Sequence, residues 1–321
     1  MTFHSRVFLV ALGSLLVAGS ADAQQWPAKP IRFITVGASD AFPRILAQEI
    51  SGPLKQPVLV EEHAGASGTI GAEFAARQPA DGYAFMVATS THMVVPNFYK
   101  LNYDIMRDFA PISLLGTTPF ILLAHPSLPV RSLAQLVELA KQRPGELNFS
   151  ATSAGSSSDL VAEMFKSNAR VNIVHVPYKS MAAALSDLLG GQVQLAMSVG
   201  PTAVSQIQAH KVRALAVSTP KRSVVLPDVP TFVELGFPKV VGTAWFGLVA
   251  PAGTPAPILS RMSAEIVKAI RKPDVREKIL KLTFDPVGDT PEEFHVFMKE
   301  DLVRWADAAK ASNVQIKVPH K

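Results

Sequence analysis

Hydrophobic and polar positions along the chain alternate between two patterns, one typical of strands and one typical of helices. Short apolar runs, such as Ile31–Val36, Val58–Glu61 and Phe85–Ala88, have the composition of buried strands. Between them, at Ile45–Ile50 and Gly71–Arg77, apolar residues recur on one helical face. Strands that alternate with helices predict an α/β protein with a mostly parallel sheet.

The second half of the chain continues this alternation and then departs from it. Further strands are predicted at Ile112–Leu115, Phe120–Ala124, from Asn148, and at Ile173–Val176, Val193–Met197, Arg213–Val217 and Thr243–Ala250. Further helices are predicted at Leu133–Lys141, Ala182–Leu189, Val204–Gln208 and Ile258–Ile270. Two more are predicted, one that ends at Phe165 and one that begins at Thr290. No strand accompanies the last two helices, so we expect them to pack on an earlier domain.

The first 23 residues have the pattern of a targeting segment. His4 and Arg6 precede the apolar run Val7–Val17, and Ala21–Ala23 forms a small-x-small cleavage site. The apolar run is too short to cross a bilayer. The segment is therefore predicted to be a cleaved secretory signal peptide.

Composition narrows the classes of function. The 321 residues predict about two domains, and the absence of cysteine excludes disulfides and thiol catalysis. A net charge of +5 suits anionic small molecules, whereas no basic run predicts nucleic-acid binding. The chain has neither an H-E-x-x-H motif nor a G-x-S-x-G elbow, so neither a metal site nor a serine-hydrolase site is predicted.

One local shape occurs twice, once in each half of the chain. Ile34–Leu46 and Phe149–Phe165 both consist of a strand, a loop of small residues, a Ser-Asp pair and a helix. This predicts two similar α/β lobes that face each other. A helix begins with N–H groups that lack helical partners, so small residues there can let a carboxylate or phosphate approach.

Plain helix capping is the alternative interpretation of both loops. Ser39 or Asp40 can cap the first helix, and Ser156 with Asp159 has the spacing of a capping box. A third small polar loop, Thr89–His92, follows a predicted strand. His92 is either a ligand-binding residue or a capping or surface residue.

Two other features have competing interpretations. Gly65, Gly68 and Gly71 have neither the Walker nor the Rossmann spacing, which favours a flexible or tightly packed start of a helix over a phosphate site. Lys179, which follows a Pro-Tyr pair, either faces an anion or is an ordinary exposed lysine.

A series of motifs carries a family resemblance from Trp26 to Trp305. They are, in order, WPAKPIRFI, GASGTIGAEFAAR, PADGYAFMVATS, RDFAPISLL, LAQLVELAKQRPGELNFS, VNIVHVPYK, LSDLLGGQVQLAM, KVRALAVST, RSVVLPDVPTFVELG and AWFGLVAPAGTPAPI. In this respect the chain resembles the extracytoplasmic solute receptors of the tripartite tricarboxylate transporter family, also called the Bug family.

The resemblance implies a type II periplasmic binding protein fold, with two α/β lobes joined by two crossing strands and a ligand cleft between them. Lobe one would comprise residues 24–124 and 246–321, and lobe two residues 125–245. Phe120–Ala124 and Ala244–Val249 would be the crossing strands, and the terminal helices would pack on lobe one.

The implied function is that of a periplasmic, non-enzymatic binding protein. It would bind a small organic acid without a cofactor, as a monomer, and deliver it to membrane subunits of a transporter or report it to a sensor protein. An exported hydrolase on the same lobes is the rival hypothesis, with Asp40, His92 and Asp159 as its titratable candidates.

The candidate ligand-binding residues come from the three loops and two further positions. They are Gly37, Ala38, Ser39, Asp40, Ser90, Thr91, His92, Ser153, Gly155, Ser156, Ser157, Ser158, Asp159, Thr202 and Trp245. Two departures from the family pattern affect the expected ligand. The loop Gly37–Asp40 is shorter than usual, and Asp159 stands where a histidine is common. An acid there would repel a second carboxylate if it pointed inward.

Overall fold

The structure is a computed structural model that describes residues 26–36, 40–152 and 155–311. The predicted signal peptide and the candidate residues Gly37, Ala38, Ser39 and Ser153 lie outside the described residues.

Strands and helices alternate along most of the described chain, as the hydrophobic pattern predicts, but the helices Thr91–Val94 and Pro273–Lys281 and the short strand Asp285–Pro286 were not predicted. In the first part these are β1 (Ile31–Thr35), α1 (Ala41–Leu54), β2 (Val58–Glu62), α2 (Thr69–Ala76), β3 (Ala84–Thr89), α3 (Thr91–Val94), β4 (Phe109–Ala124) and α4 (Leu133–Gln142). They continue with β5 (Asn148–Thr152), α5 (Ser157–Ala169), β6 (Val174–Tyr178), α6 (Met181–Leu189), β7 (Leu195–Val199), α7 (Gly200–Gln208) and β8 (Arg213–Val217). The last elements are β9 (Thr243–Pro251), α8 (Ala256–Arg271), α9 (Pro273–Lys281), β10 (Asp285–Pro286) and α10 (Pro291–Ala311).

The strands pair in the order β2-β1-β3-β9-β4-β7-β5-β6, and β8 and β10 also pair with β4. In the first lobe, β1 is parallel to β2 and β3, and β9 is antiparallel to β3 and to the segment Phe109–Pro119 of β4. In the second lobe, β5 is parallel to β6 and β7, while Phe120–Ala124 of β4 pairs with β7 and β8. Thus β4 belongs to both lobes and joins them.

The prediction of two separate strands at Ile112–Leu115 and Phe120–Ala124 is wrong, because the structure has a single strand of 16 residues there. The intervening Gly116–Pro119 has the composition of a break. However, the pairing with β9 shifts register near Gly116, and the strand changes partners immediately after Pro119. Pro119 is the last residue of β4 that pairs with β9, so the donor that proline lacks is missing only where this ladder ends.

The terminal helices cover the first lobe and extend beyond it. The buried face of α8, with Met262, Ile266 and Ile270, packs in the core that contains α1 and part of β4. Helix α10 begins with a capping box, in which Thr290 and Glu293 exchange hydrogen bonds. It contacts β4 and α3, but also α5 of the second lobe, which the prediction did not include. None of the helices within the described ranges has the length and apolarity to span a bilayer.

Candidate functional site

A cleft of about 570 Å³ lies between the two lobes, at the carboxyl ends of their parallel strands. On the first-lobe side it is lined by Val36 after β1, the loop Ala64–Gly68 after β2, and Thr89–Thr91 at the end of β3. On the second-lobe side, residues after β5, β6 and β7 line it. This edge is where ligands bind in open α/β sheets, because the strand ends and helix starts meet there.

The start of α5 supplies a group of hydroxyls on this wall. Ser156 has extended backbone angles and caps the helix, and its Oγ accepts from the Asp159 N–H at 3.2 Å. The Thr152 hydroxyl lies 2.7 Å from Ser156 Oγ and 2.8 Å from Ser158 Oγ. The predicted cap is confirmed, and the same residues line the cleft.

Hydroxyls of the two lobes meet at Ser157, the first residue of α5. Its Oγ lies 3.5 Å from Ser90 Oγ and 3.4 Å from Thr91 Oγ1, both at the end of β3. The structure therefore brings together three of the predicted residues from segments that are far apart in sequence.

Asp159 is turned away from the cleft. Its Oδ2 accepts from the Gly155 N–H at 2.8 Å, and its Oδ1 lies 2.9 Å from His175 Nδ1. The His175 ring stacks on Phe149 at 4.7 Å between centroids. Asp159 is 1% exposed and does not line the cleft, so the inward-pointing acid that would repel a second carboxylate does not occur.

Asp40 and His92, the other two titratable candidates, also lie outside the lining of the cleft. Asp40 occupies the N-cap position of α1 without a side-chain cap, and its carboxylate instead pairs with Arg44 at 2.6 Å. The His92 ring is fully buried, with Nδ1 3.0 Å from the Thr89 N. Burial lowers the pKa of His92 to about 4, although contacts with the Thr89 and Gly68 backbones oppose this, so the ring is neutral at neutral pH.

The loop between β2 and α2 lines the cleft, which the sequence interpretation missed. Its residues Gly65, Ala66, Ser67 and Gly68 all have positive φ. Glycine accommodates such angles without strain, whereas Ala66 and Ser67 hold an uncommon conformation. At Gly71, a Cβ atom would lie 2.6 Å from the His63 carbonyl oxygen. The glycine spacing was the available signal, and it marks a cleft-lining loop as well as a tightly packed start of a helix.

Lys179 is the one ionisable side chain among the described residues that line the cleft. It is exposed, and no ion pair involves it within the described part of the chain. The next residue, Ser180, caps α6 by accepting from the Ala183 N–H at 3.2 Å. Because α5, α6 and α7 all begin at this wall, their N-terminal partial charges add to that of Lys179.

The remaining lining is largely apolar. Phe246 and Phe284, which pack with 5.0 Å between centroids, and Phe120 line the cleft. The two positions predicted from outside the loops, Thr202 at the start of α7 and Trp245 in β9, both line the cleft. In the described ranges, no group of three His, Asp or Glu side chains is arranged to hold a metal ion.

The predicted site residues thus fall into three groups. Those that line the cleft are Ser90, Thr91, Ser156, Ser157, Ser158, Thr202 and Trp245. Those that lie behind or beside it are Asp40, His92, Gly155 and Asp159. The others lie in the segments that the structure does not describe.

Sequence comparison identifies the relatives of the chain. The profile described as tripartite tricarboxylate transporter family receptor matches residues 42–314. Protein BugT of Bordetella pertussis is 32% identical over 318 residues, which cover 97% of this chain and 97% of BugT.

Two solved structures have the same fold. R. palustris Rpa4515 with adipate is 31% identical with a TM-score of 0.84, over 90% of this chain and 99% of that one. MatC from Rhodopseudomonas palustris with bound malate is 30% identical with a TM-score of 0.79, over 88% and 100%. The predicted periplasmic binding protein fold is confirmed by these neighbours. The chain belongs to the family of tripartite tricarboxylate transporter receptors.

Proposed function

We propose that this protein captures a small carboxylate-bearing metabolite in the cleft between its lobes, without catalysing a reaction. It would do so in the periplasm, as a monomer, after removal of the signal peptide. The observation that carries the proposal is the composition of the cleft wall. The start of α5 opens on it, Lys179 is its one charged side chain in the described lining, and the acidic candidates Asp40 and Asp159 pair with Arg44 and His175 outside that lining.

A carboxylate fits the start of α5 for two physical reasons. The first N–H groups of a helix have no intrahelical acceptor, and the helix dipole favours negative charge there. Ser157 and Ser158 add hydroxyl donors within a wall that is shielded from water, since each is at most 6% exposed. Hydrogen bonds to a charged group are worth roughly 1.5–3 kcal/mol each.

The rest of the cleft favours a second acidic group on a short apolar body. Phe120, Trp245 and Phe246, each at most 7% exposed, form an apolar part of the lining, and the Lys179 ammonium offers a second positive charge. The neighbours solved with adipate and with malate support this, since both are dicarboxylates. We therefore propose dicarboxylates as the preferred ligand class.

The candidate residues of the rival hydrolase hypothesis do not line the described part of the cleft. The hydrolase hypothesis requires a titratable group beside a nucleophilic serine. Asp40, His92 and Asp159 were its candidates, and none of them lines the cleft. We therefore favour ligand binding and transfer over hydrolysis as the function of this cleft.

Delivery to the membrane subunits of a tripartite tricarboxylate transporter is the proposed next step, and a sensor protein is the alternative recipient. Closure would take place between the predicted lobes, 24–124 with 246–321 and 125–245. The boundary after residue 124 lies near Phe120, where β4 changes partners. The boundary after residue 245 lies near Thr243, where β9 begins. Ligand uptake that depends on this protein in cells would support the transporter, and its absence alongside intact binding would favour the sensor.

Thermal unfolding with a panel of mono-, di- and tricarboxylates, amino acids and sugars tests the binding function. A ligand at 100 times its Kd stabilises the native state by about 2.7 kcal/mol. We expect dicarboxylates to raise the Tm more than monocarboxylates of similar size. If no carboxylate raises the Tm, the proposal is wrong.

Ser156 provides a matched pair of variants for the same measurement. Ser156→Asp keeps a good helix cap but places negative charge at the start of α5, whereas Ser156→Asn keeps the cap and stays neutral. We expect the aspartate variant to abolish the dicarboxylate shift and the asparagine variant to keep most of it. Equal shifts in both variants would exclude the start of α5 as the carboxylate site.

A further inference from the structure

A buried carboxylate outside the cleft joins two of the three tryptophans in the chain. Asp301 lies in the middle of α10 and is 0% exposed. Its Oδ2 accepts from Trp245 Nε1 at 2.8 Å and from Trp305 Nε1 at 2.9 Å. Its Oδ1 accepts from Arg304 Nη1 at 2.7 Å. One carboxylate oxygen therefore holds both indole N–H groups.

Trp245 lies at the cleft, and Trp305 lies where β4 passes between the lobes. Trp245 lines the cleft and meets Phe294 and Phe297 of α10 edge-on, each with 5.7 Å between centroids. Trp305 meets Phe120 edge-on at 6.4 Å, at the point where β4 passes from one lobe to the other.

Trp305 also lies against the second crossing segment. Gly242 directly precedes β9, and a Cβ atom there would be 2.8 Å from Trp305 Cη2. The same atom would be 2.7 Å from Val161 Cγ2 in α5. Trp305 therefore lies beside both crossing segments, and Asp301 connects it to an indole that borders the cleft.

Packing alone does not account for a carboxylate at this position. A buried carboxylate loses several kcal/mol of hydration unless it is paired and hydrogen-bonded. Burial raises the pKa of Asp301, while Trp245, Arg304 and Trp305 oppose that shift. In return, a charged acceptor forms shorter and stronger hydrogen bonds than a neutral one, so it restricts the orientation of both rings.

We propose that Asp301 is a positioning residue of the cleft, which sets the orientation of the Trp245 ring and couples it to Trp305 at the crossing segments. Asp301 does not line the cleft itself, and it would act on a ligand only through Trp245, which lines the cleft and is 1% exposed. The inference rests on the proposed function, because it assigns Trp245 a part in ligand binding.

The test compares Asp301→Asn with Asp307→Asn, an exposed residue of the same helix. The asparagine at position 301 has nearly the same shape but lacks the charge. Malate and adipate serve as probes, with Kd measured by calorimetry and the tryptophan bands recorded by near-ultraviolet circular dichroism without ligand. We expect Asp301→Asn to weaken probe binding by about tenfold and to alter the tryptophan bands, while Asp307→Asn behaves as wild type.

Two results would overturn the proposal. The first is a folded Asp301→Asn protein whose tryptophan bands match those of the wild type. The second is altered bands with unchanged affinity. If the wild type binds neither probe nor any other carboxylate, the proposed function fails, and with it the role of Asp301 in binding. The ligand-free spectrum then still decides whether Asp301 orients the rings.

Trp305→Phe is the second variant, in case Asp301→Asn does not fold. It keeps an aromatic ring against Phe120 but removes one of the two indole donors. We expect a smaller loss of affinity than for Asp301→Asn. An affinity equal to that of the wild type would show that Trp305 is not coupled to the cleft.

Discussion

At the scale of single residues, the charge in the cleft depends on which side chains face it. Asp159 pairs with His175 behind the start of α5, and Asp40 pairs with Arg44 on the surface. Lys179 faces the cleft without an acidic partner among the described residues. The described wall is therefore positive, although the acids Asp40 and Asp159 lie close to it in sequence.

His92 makes stability depend on pH. Its pKa in the folded protein is about 4, below the ordinary value of 6.5, because the ring is fully buried. Below pH 6.5 the unfolded chain therefore binds a proton that the folded protein does not. This lowers the free energy of unfolding as the pH falls from about 6.5 to about 4.

We expect His92→Asn to reduce that loss by about 2 kcal/mol between pH 7 and pH 4.5. The asparagine amide oxygen can replace Nδ1 as the acceptor for the Thr89 N–H. Urea unfolding at the two pH values measures the difference. His210→Asn, at an exposed position with positive φ that asparagine tolerates, is the control and should leave the pH dependence unchanged. A parallel loss in wild type and His92→Asn would contradict the prediction.

At the scale of elements, α10 packs on β9 because the ring of Phe294 lies against the backbone of Gly247. A Cβ atom on Gly247 would overlap the Phe294 ring. Phe294 is 0% exposed and also packs on Trp245, so it has no free space into which it can move. Glycine is therefore required in β9 by packing, since its φ is not in the left-handed region.

Gly247→Ala should destabilise the protein by about 1–3 kcal/mol, the usual effect of overpacking a core. Gly52→Ala is the matched substitution, in α1, where nothing lies within 4 Å of the added atom. It should be neutral or stabilise by up to about 1 kcal/mol, because alanine favours a helix over glycine. Chemical denaturation of both variants measures the contrast, and similar free energies of unfolding would refute it.

At the scale of the whole molecule, Ser218 links the two crossing segments. Its Oγ accepts from the Phe120 N–H at 3.1 Å and donates to the Gly242 carbonyl. Its backbone bonds to the same two segments. The Ser218 N–H donates to the Phe120 carbonyl at 2.9 Å, and the Gly242 N–H donates to the Ser218 carbonyl at 3.0 Å. The proposed closure of the lobes would therefore bend the chain close to this buried residue.

Ser218→Ala should cost about 1–3 kcal/mol of stability, because it leaves the buried Phe120 N–H without its acceptor. Ser205→Ala, at an exposed position in α7, should change stability by less than about 0.5 kcal/mol. Urea unfolding gives both values. Small-angle scattering with and without malate then shows whether the alanine variant still closes as the wild type does. Unchanged stability would mean that Ser218 is not needed to join the segments.

The parts of the site that the sequence predicts are those that depend on neighbours along the chain. Capping of α5 follows from the spacing of Ser156 and Asp159, and the cap is found as predicted. The loops after β3 and β5 reach one cleft because alternating strands and helices place strand ends at one edge. The orientation of the Asp159 side chain could not be predicted from its neighbours along the chain, because it depends on His175 in the next strand.

The sequence by itself determined most of the order of strands and helices, the α/β class, the cap of α5 and the family. Hydrophobic period and capping are local properties, and a series of ordered motifs specifies a family. The tertiary structure alone decided that β4 is continuous, that α10 reaches both lobes, and that Asp301 joins two indoles. It also decided which charges face the cleft. These features depend on contacts between segments as distant as Trp245 and Asp301, and no local pattern encodes such contacts.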